Sequence, residues 1–259
     1  MVPHMKEDIE RIMKEAGNLL LSYWHTGISE TKKQAGYYTQ ADIDSEQFLK
    51  EELFHLFPAD FIAEESGLSG ATNNGYRWVI DPLDGTTNFA HKISYFCISV
   101  ALTLHDEPIV GAIYNPLLDE FFYAEKGNGA TLNGCSIRVC PPKAFSDAVI
   151  GFGLAYDRRY RAFVVDRAQV IATQARAVRH FGAVALDLAY VACGRLDGAI
   201  FSHLFWWDIA AGILLVVEAG GSASEFNGGA LGPNFESCVA GSNMVHKKLK
   251  ELAKSPTDS

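Results

Sequence analysis

Residues 77–89 read Arg-Trp-Val-Ile-Asp-Pro-Leu-Asp-Gly-Thr-Thr-Asn-Phe, RWVIDPLDGTTNF. Trp78-Val79-Ile80 is a short apolar run closed by turn formers, the pattern of a buried strand. Asp81 and Asp84 stand three positions apart on a turn stiffened by Pro82, so both carboxylates can converge on one hard cation. Gly85 lets the backbone approach a ligand closely. Thr86 and Thr87 add hydroxyls and backbone N–H groups of the kind that suit a phosphate. Taken alone, D-x-x-D-G is equally a polar turn, because turns favour these residue types.

The whole octapeptide DPLDGTTN is far more specific. It resembles the signature of the inositol monophosphatase family, magnesium-dependent and lithium-sensitive phosphomonoesterases. Ala63-Glu64-Glu65-Ser66 upstream and Trp207-Asp208-Ile209-Ala210-Ala211-Gly212 downstream resemble the family's other two metal-site motifs, in the right order. The resemblance runs from about Asp42 to Gly241. It implies an α/β (α+β) fold, the layered αβαβα sandwich of the inositol monophosphatase and fructose-1,6-bisphosphatase type, usually a homodimer. It also implies two magnesium ions. Glu64, Asp81 and the Leu83 carbonyl hold one, and Asp81, Asp84 and Asp208 hold the other; a third, weaker ion is allowed on Glu64. Catalytic roles fall on Glu64, Thr86 and Asp42, with Glu65 supporting from behind. Substrate contacts fall on Asp84, Gly85, Thr86, Gly182, Ala183 and Asp208.

Bulk properties narrow the partners. The 259 residues carry a formal charge of −9 without clustered Lys and Arg, which argues against nucleic acid. No apolar run approaches the ~20 residues of a membrane span, and the opening Met1-Val2-Pro3-His4-Met5 shows no apolar secretory segment, so a cytoplasmic protein is expected. Residues 1–4 read as a vector remnant, with Met5 as the native start. Five cysteines, an odd number without C-x-x-C, fit reduced thiols better than a disulfide framework.

Taken in order, residues 6–25 place Ile9, Ile12, Met13, Ala16, Leu19, Leu20 and Tyr23 on one helical face. Thr26 to Gly36 reads as a loop. A helix follows to about Leu56; Asp42 at its start is either an N-cap or, by resemblance, the partner of the catalytic threonine. Residues 60–63 form a short strand delivering Glu64 and Glu65, which point different ways from an extended backbone. Residues 94–104, 108–115 and 120–124 are strands of an antiparallel meander, and Gly127-Asn128-Gly129 is a hairpin signal. Pro141-Pro142 marks a boundary between an N-terminal half, 5–142, and a C-terminal half, 143–255, in one compact unit. Strands and helices alternate in the second half. Phe205 to Asp208 opens an apolar helix reaching Ala219, whose small run Ala210-Ala211-Gly212 is expected to let the helix start sit against the aspartate turn.

Oxygen-only ligands select a hard cation, magnesium before zinc. The expected reaction is hydrolysis of a small sugar or polyol phosphate by direct attack of activated water, without a phosphoenzyme. Haloacid-dehalogenase phosphatases carry their two aspartates two positions apart, not three. A regulatory binding module on the same scaffold is the non-enzymatic alternative. Substrate choice stays open among inositol phosphates, fructose 1,6-bisphosphate, histidinol phosphate and NADP. The family's inositol-binding glutamate is Phe201 here, and the hydroxyl residue after the R-x-x-G turn is Ala183. His203 lies near enough to reach substrate, although an exposed loop residue is the plainer reading.

Overall fold

The structure is a computed structural model and describes residues 5–26, 31–33, 36–72, 74–155 and 157–253. The expected remnant at 1–4 lies outside the described residues, as does part of the expected loop. The elements in chain order are α1 (Lys6–Thr26), β1 (Thr31–Lys33), β2 (Gly36–Tyr38), α2 (Gln40–Leu56), β3 (Asp60–Ala63), β4 (Gly67–Ser69) and β5 (Tyr76–Asp84). Then come α3 (Thr86–Ala90), β6 (Cys97–Leu104), β7 (Glu107–Asn115), β8 (Glu120–Glu125), β9 (Gly129–Leu132) and β10 (Cys135–Ser136). The second half holds β11 (Val149–Phe152), α4 (Arg158–Ala172), β12 (Ala177–Arg179), α5 (Val184–Ala192), β13 (Gly198–Ser202), α6 (Trp206–Glu218), β14 (Ser222–Ser224), β15 (Ser237–Gly241) and α7 (Asn243–Ala253).

Eight strands form the first sheet in the order β10-β9-β8-β7-β6-β5-β3-β4, and five form the second in the order β12-β11-β13-β15-β14. The meander runs antiparallel from β5 through β10, while β3 lies parallel to β5. Three apolar clusters define five layers. Ile9, Ile12 and Leu20 of α1 and Leu49 and Leu53 of α2 cover one face of the large sheet. Leu186, Leu188, Ile209 and Leu215 of α5 and α6 fill the space between the sheets. Ile171 of α4 and Val245 and Leu249 of α7 close the outer face of the small sheet. This is the αβαβα sandwich expected from the resemblance.

Strand periodicity explains how β5 serves two layers. Trp78 and Ile80 belong to the outer cluster and Val79 to the inner one. Asp81, two residues beyond Val79, continues on the inner side. A register shift against β6 between Asp81 and Asp84 then turns the strand end.

Several local readings change. The expected loop after α1 contains the short antiparallel pair β1–β2, which is too brief for period-two patterning to reveal. Asp42 is not an N-cap: Thr39 caps α2, and Asp42 sits in the first turn, accepting from the Thr39 N–H at 2.7 Å. Asp208 sits inside the first turn of α6, as a helix opening at Phe205 requires, and accepts from the Phe205 N–H at 2.6 Å. The small residues of α6 also let it approach its other neighbours closely. A Cβ on Gly212 would meet Leu188 Cβ of α5 at 2.5 Å, and one on Gly111 of β7 would meet the Ala211 carbonyl oxygen at 2.8 Å. They set the helix against its neighbours in the middle layer.

Candidate active site

Two strand ends and four helix starts meet at one place. β3 delivers Glu64 and the parallel β5 delivers Asp81 and Asp84, so carboxylates gather beyond the carboxyl ends of parallel strands. Opposite them lie the first turns of α2, α3, α5 and α6, whose unpaired N–H groups favour negative charge.

Among the described residues, oxygen atoms of Asp81, Asp84 and Asp208 lie within 4.8 Å of one another, and all three residues are buried. Asp81 Oδ1 accepts from the Leu83 N–H at 3.0 Å. Its Oδ2 is buried with no donor upon it. Burial drives the Asp81 carboxyl well above the usual carboxylate range, and the charges of Glu64, Asp84 and Asp208 push it further. Asp84 takes the Ala185 N–H at 2.6 Å and the Cys97 thiol at 3.7 Å. Burial raises Asp84 to about 7, against hydrogen bonds from the first amides of α5. Glu64 lies outside the close trio but exerts the largest single charge effect on Asp81.

A second constellation adjoins the first. Thr86 Oγ1 donates to Asp42 Oδ1 at 3.0 Å and lies 3.2 Å from the Leu83 carbonyl oxygen. Asp42 Oδ2 is held by the Thr39 hydroxyl at 2.6 Å. Burial raises Asp42 to about 7, opposed by the Thr39 bonds and reinforced by Glu64. Gly85, at φ +96°, precedes α3. The Glu64 segment is anchored from α2, where buried Glu46 accepts the Glu65 N–H at 2.7 Å and the Ser66 N–H at 3.0 Å.

These groups border a cleft of about 1450 Å³. Glu64, Leu83, Asp84, Gly85 and Thr86 line it, and so do Gly182 and Ala183. Asp81 and Asp208 are buried beside Asp84, off the cleft wall. Glu65 faces a smaller pocket with Tyr38, Glu46 and Lys50. Phe201 is fully buried and absent from the cleft wall; it packs beneath Gly153, where an added Cβ would meet its ring at 2.9 Å. His203 is half-buried rather than exposed. Its ring lines the cleft and stacks on Tyr160 at 3.6 Å between centroids. Burial lowers its pKa.

Two groups of residues escaped the sequence reading. Asp187 is buried, lines the cleft and accepts from Tyr95 Oη at 2.7 Å. Its signal was available, because it is the one acid in the otherwise apolar stretch VALDLAYVA. Arg158 and Arg161 of α4 also line the cleft. Nothing in the local sequence pointed to them, since charged residues at a helix start ordinarily face solvent.

The sequence matches the Inositol monophosphatase family over residues 4–257. An inositol-1-monophosphatase of Rhizobium meliloti is 42% identical over 231 residues, covering 88% of this chain and 86% of its own length. The Nus factor SuhB of Escherichia coli is 34% identical, covering 92% and 91%. The solved structure of the extragenic suppressor protein suhB from Bartonella henselae superposes with a TM-score of 0.92 at 34% identity, covering 97% of this chain and 99% of that one. Fold, acidic cluster and relatives together define a phosphoric monoester hydrolase of a metal-dependent kind. The chain belongs to the inositol monophosphatase family.

Proposed function

We propose that the protein is a magnesium-dependent phosphomonoesterase of small sugar or polyol phosphates, acting through Glu64, Asp81, Asp84, Asp208, Thr86 and Asp42. The observation that carries this reading is the trio of buried aspartates with the donorless Asp81 Oδ2 among them. A buried carboxylate oxygen without a donor is costly unless a cation meets it. All-oxygen donors suit magnesium. Glu64, Asp81 and the Leu83 carbonyl would hold one ion, and Asp81, Asp84 and Asp208 a second, with room for a third on Glu64. Bound there, magnesium lowers the pKa of water and offsets charge on the leaving oxygen.

The chain's own groups supply the rest. The Thr86 hydroxyl has one proton, and it is engaged toward Asp42. Its oxygen lone pairs are therefore left to accept from the attacking water, with Glu64 as the second acceptor. The N–H groups of Gly85 and Thr86 steady the phosphoryl oxygens. Gly182 and Ala183 border the alcohol portion of the substrate.

Phosphate release from a panel of esters, at varied magnesium and with and without lithium, tests the reading. Activity that needs magnesium, falls with lithium and disappears in Asp81→Asn is expected. Under single turnover in labelled water, label should enter phosphate directly. By likeness to the family, the two halves 5–142 and 143–255 act as one unit in a cytoplasmic homodimer. The Nus factor relatives support a second reading, a regulatory binding role on this scaffold. An intact binding function in a catalytically dead Asp81→Asn variant would separate the two.

A further inference from the structure

Polar side chains, Asn88, His180 and Asp187 among them, share the cleft lining with an apolar stretch. Leu154, Phe181, Ala183, Val184 and Leu204 form that stretch, and none offers a side-chain hydrogen bond. Among them stand two guanidinium groups, Arg158 and Arg161. Three positions apart on α4, they share one helical face.

Their charges are not consumed within the fold. Arg158 is exposed to solvent and makes no hydrogen bond or ion pair among the described residues. Arg161 uses only Nε, on the Ala155 carbonyl at 2.9 Å, which leaves both terminal nitrogens for a ligand. Asp157, the nearest acid on the cleft wall, is occupied by Arg159 through Nε at 2.8 Å and through the backbone at 2.9 Å. Asp187 is occupied by Tyr95. The helix start is also fixed in place, because Tyr160 stacks on His203, five residues before Asp208. The stack ties the arginine-bearing turn to the loop that enters α6. In a chain of net charge −9, two uncompensated cations lining the same cleft as Glu64 and Asp84 are a feature of the site, not of the background.

We propose that Arg158 and Arg161 dock a second anionic group of the substrate, remote from the ester that is cleaved. The preferred substrates are then small phosphate esters with two anionic ends, the second being a phosphate or a carboxylate. Guanidinium groups hold either through paired charge-assisted hydrogen bonds. The inference rests on the phosphatase reading for the ester end and adds the recognition of the other end.

The test uses matched pairs in magnesium: fructose 6-phosphate against fructose 1,6-bisphosphate, and glycerol 3-phosphate against 3-phosphoglycerate. The wild-type kcat/KM should favour the doubly anionic member of at least one pair by about tenfold or more. The first pair reads a phosphate and the second a carboxylate. In R158Q/R161Q the preference should shrink to about twofold, with the singly anionic members unchanged. R158Q alone, which removes no contact within the fold, should lose part of the preference. Equal rates within both wild-type pairs, a preference that survives R158Q/R161Q, or a uniform fall across all four esters would overturn the proposal. Should no ester be hydrolysed, calorimetric titration of the same compounds reads binding directly. Tighter binding of a doubly anionic compound that depends on the arginines would then uphold the docking role while the phosphatase reading fell.

Discussion

Thr86 Oγ1 donates to Asp42 Oδ1 across 3.0 Å, joining the first turn of α3 to the first turn of α2. The other Asp42 oxygen is spent on Thr39 through two bonds, so the carboxylate cannot rotate away. Its one open role is to orient the threonine proton. Asp42→Asn is expected to lower kcat about 100-fold with little change in KM, because an amide can present N–H where the hydroxyl needs an acceptor. Thr86→Ala should cost a similar factor. The double variant should be no worse than the poorer single one, since the two act as a unit. Additive losses in the kinetics of the double variant would count against the pairing.

Neutralising one member of the aspartate trio should separate activity from stability. Asp81, Asp84 and Asp208 repel one another in a buried space, so Asp208→Asn relieves repulsion while keeping the side-chain volume. The cation-free variant is expected to melt no lower than the parent. Its kcat/KM should fall by at least about 1000-fold, the scale of a lost metal contribution of several kcal/mol. Calorimetric melting and phosphate release on the same preparation check both halves.

The same burial gives a pH signature. Asp42 and Asp84 have their pKa values raised from 3.8 to about 7 by burial. A raised carboxyl holds its proton in the folded state where the unfolded chain has lost it. Folding therefore binds protons between roughly pH 4 and 7, and this contribution to stability declines as pH rises through that window. Cations among the carboxylates remove the cause. The magnesium-induced gain in melting temperature should be small at pH 5 and larger at pH 8. A gain that is flat with pH would show that these carboxyls ionise normally in the folded protein.

How much of this was legible follows from the range over which each signal acts. The strand Trp78–Ile80 and its aspartates were readable because the cue is local: an apolar run, a Pro and a Gly within nine residues. The meander was readable for the same reason, with turn residues punctuating each strand. The Asp42–Thr86 bond spans 44 positions and came only through likeness to a family. Thr39 as the true start of α2 was missed because Asp at N-cap and Asp in the first turn look alike in sequence. Phe201 is buried and His203 lines the cleft because strand β13 ends between them and the backbone turns at His203, φ +53°.

Glu46 offers a test of how Glu64 is positioned. Its buried carboxylate grips two consecutive amides just after Glu64. Glu46→Gln retains one acceptor oxygen and loses the other, while Glu46→Ala strips both amides of a partner. The expected order of kcat is wild type, then Gln, then Ala, with Ala also destabilised by about 1–3 kcal/mol for the stranded amides. The apparent magnesium affinity should weaken in the same order, because Glu64 loses its fixed approach. A purely structural role would shift melting temperature without moving the magnesium dependence.

Gly85 carries the sharpest steric constraint in the turn. At φ +96° any other L-residue is strained, and an added Cβ would lie 3.0 Å from the Tyr95 carbonyl oxygen and 3.3 Å from Ala183 Cβ. That carbonyl already accepts the Asn88 side chain at 2.7 Å, and Asn88 also reaches the Phe181 carbonyl at 2.7 Å. A push at residue 85 therefore spreads to both sides of the cleft. Gly85→Ala is expected to cost about 1–3 kcal/mol in stability and to lower kcat/KM at least about tenfold. Gly134→Ala is the matched comparison: φ is +79°, and nothing lies within 4 Å of the added Cβ. It should carry the backbone strain alone, about 1 kcal/mol, with catalysis untouched. Equal kinetic damage from the two substitutions would mean that the loss at Gly85 reflects general destabilisation and not its place against Tyr95 and Ala183.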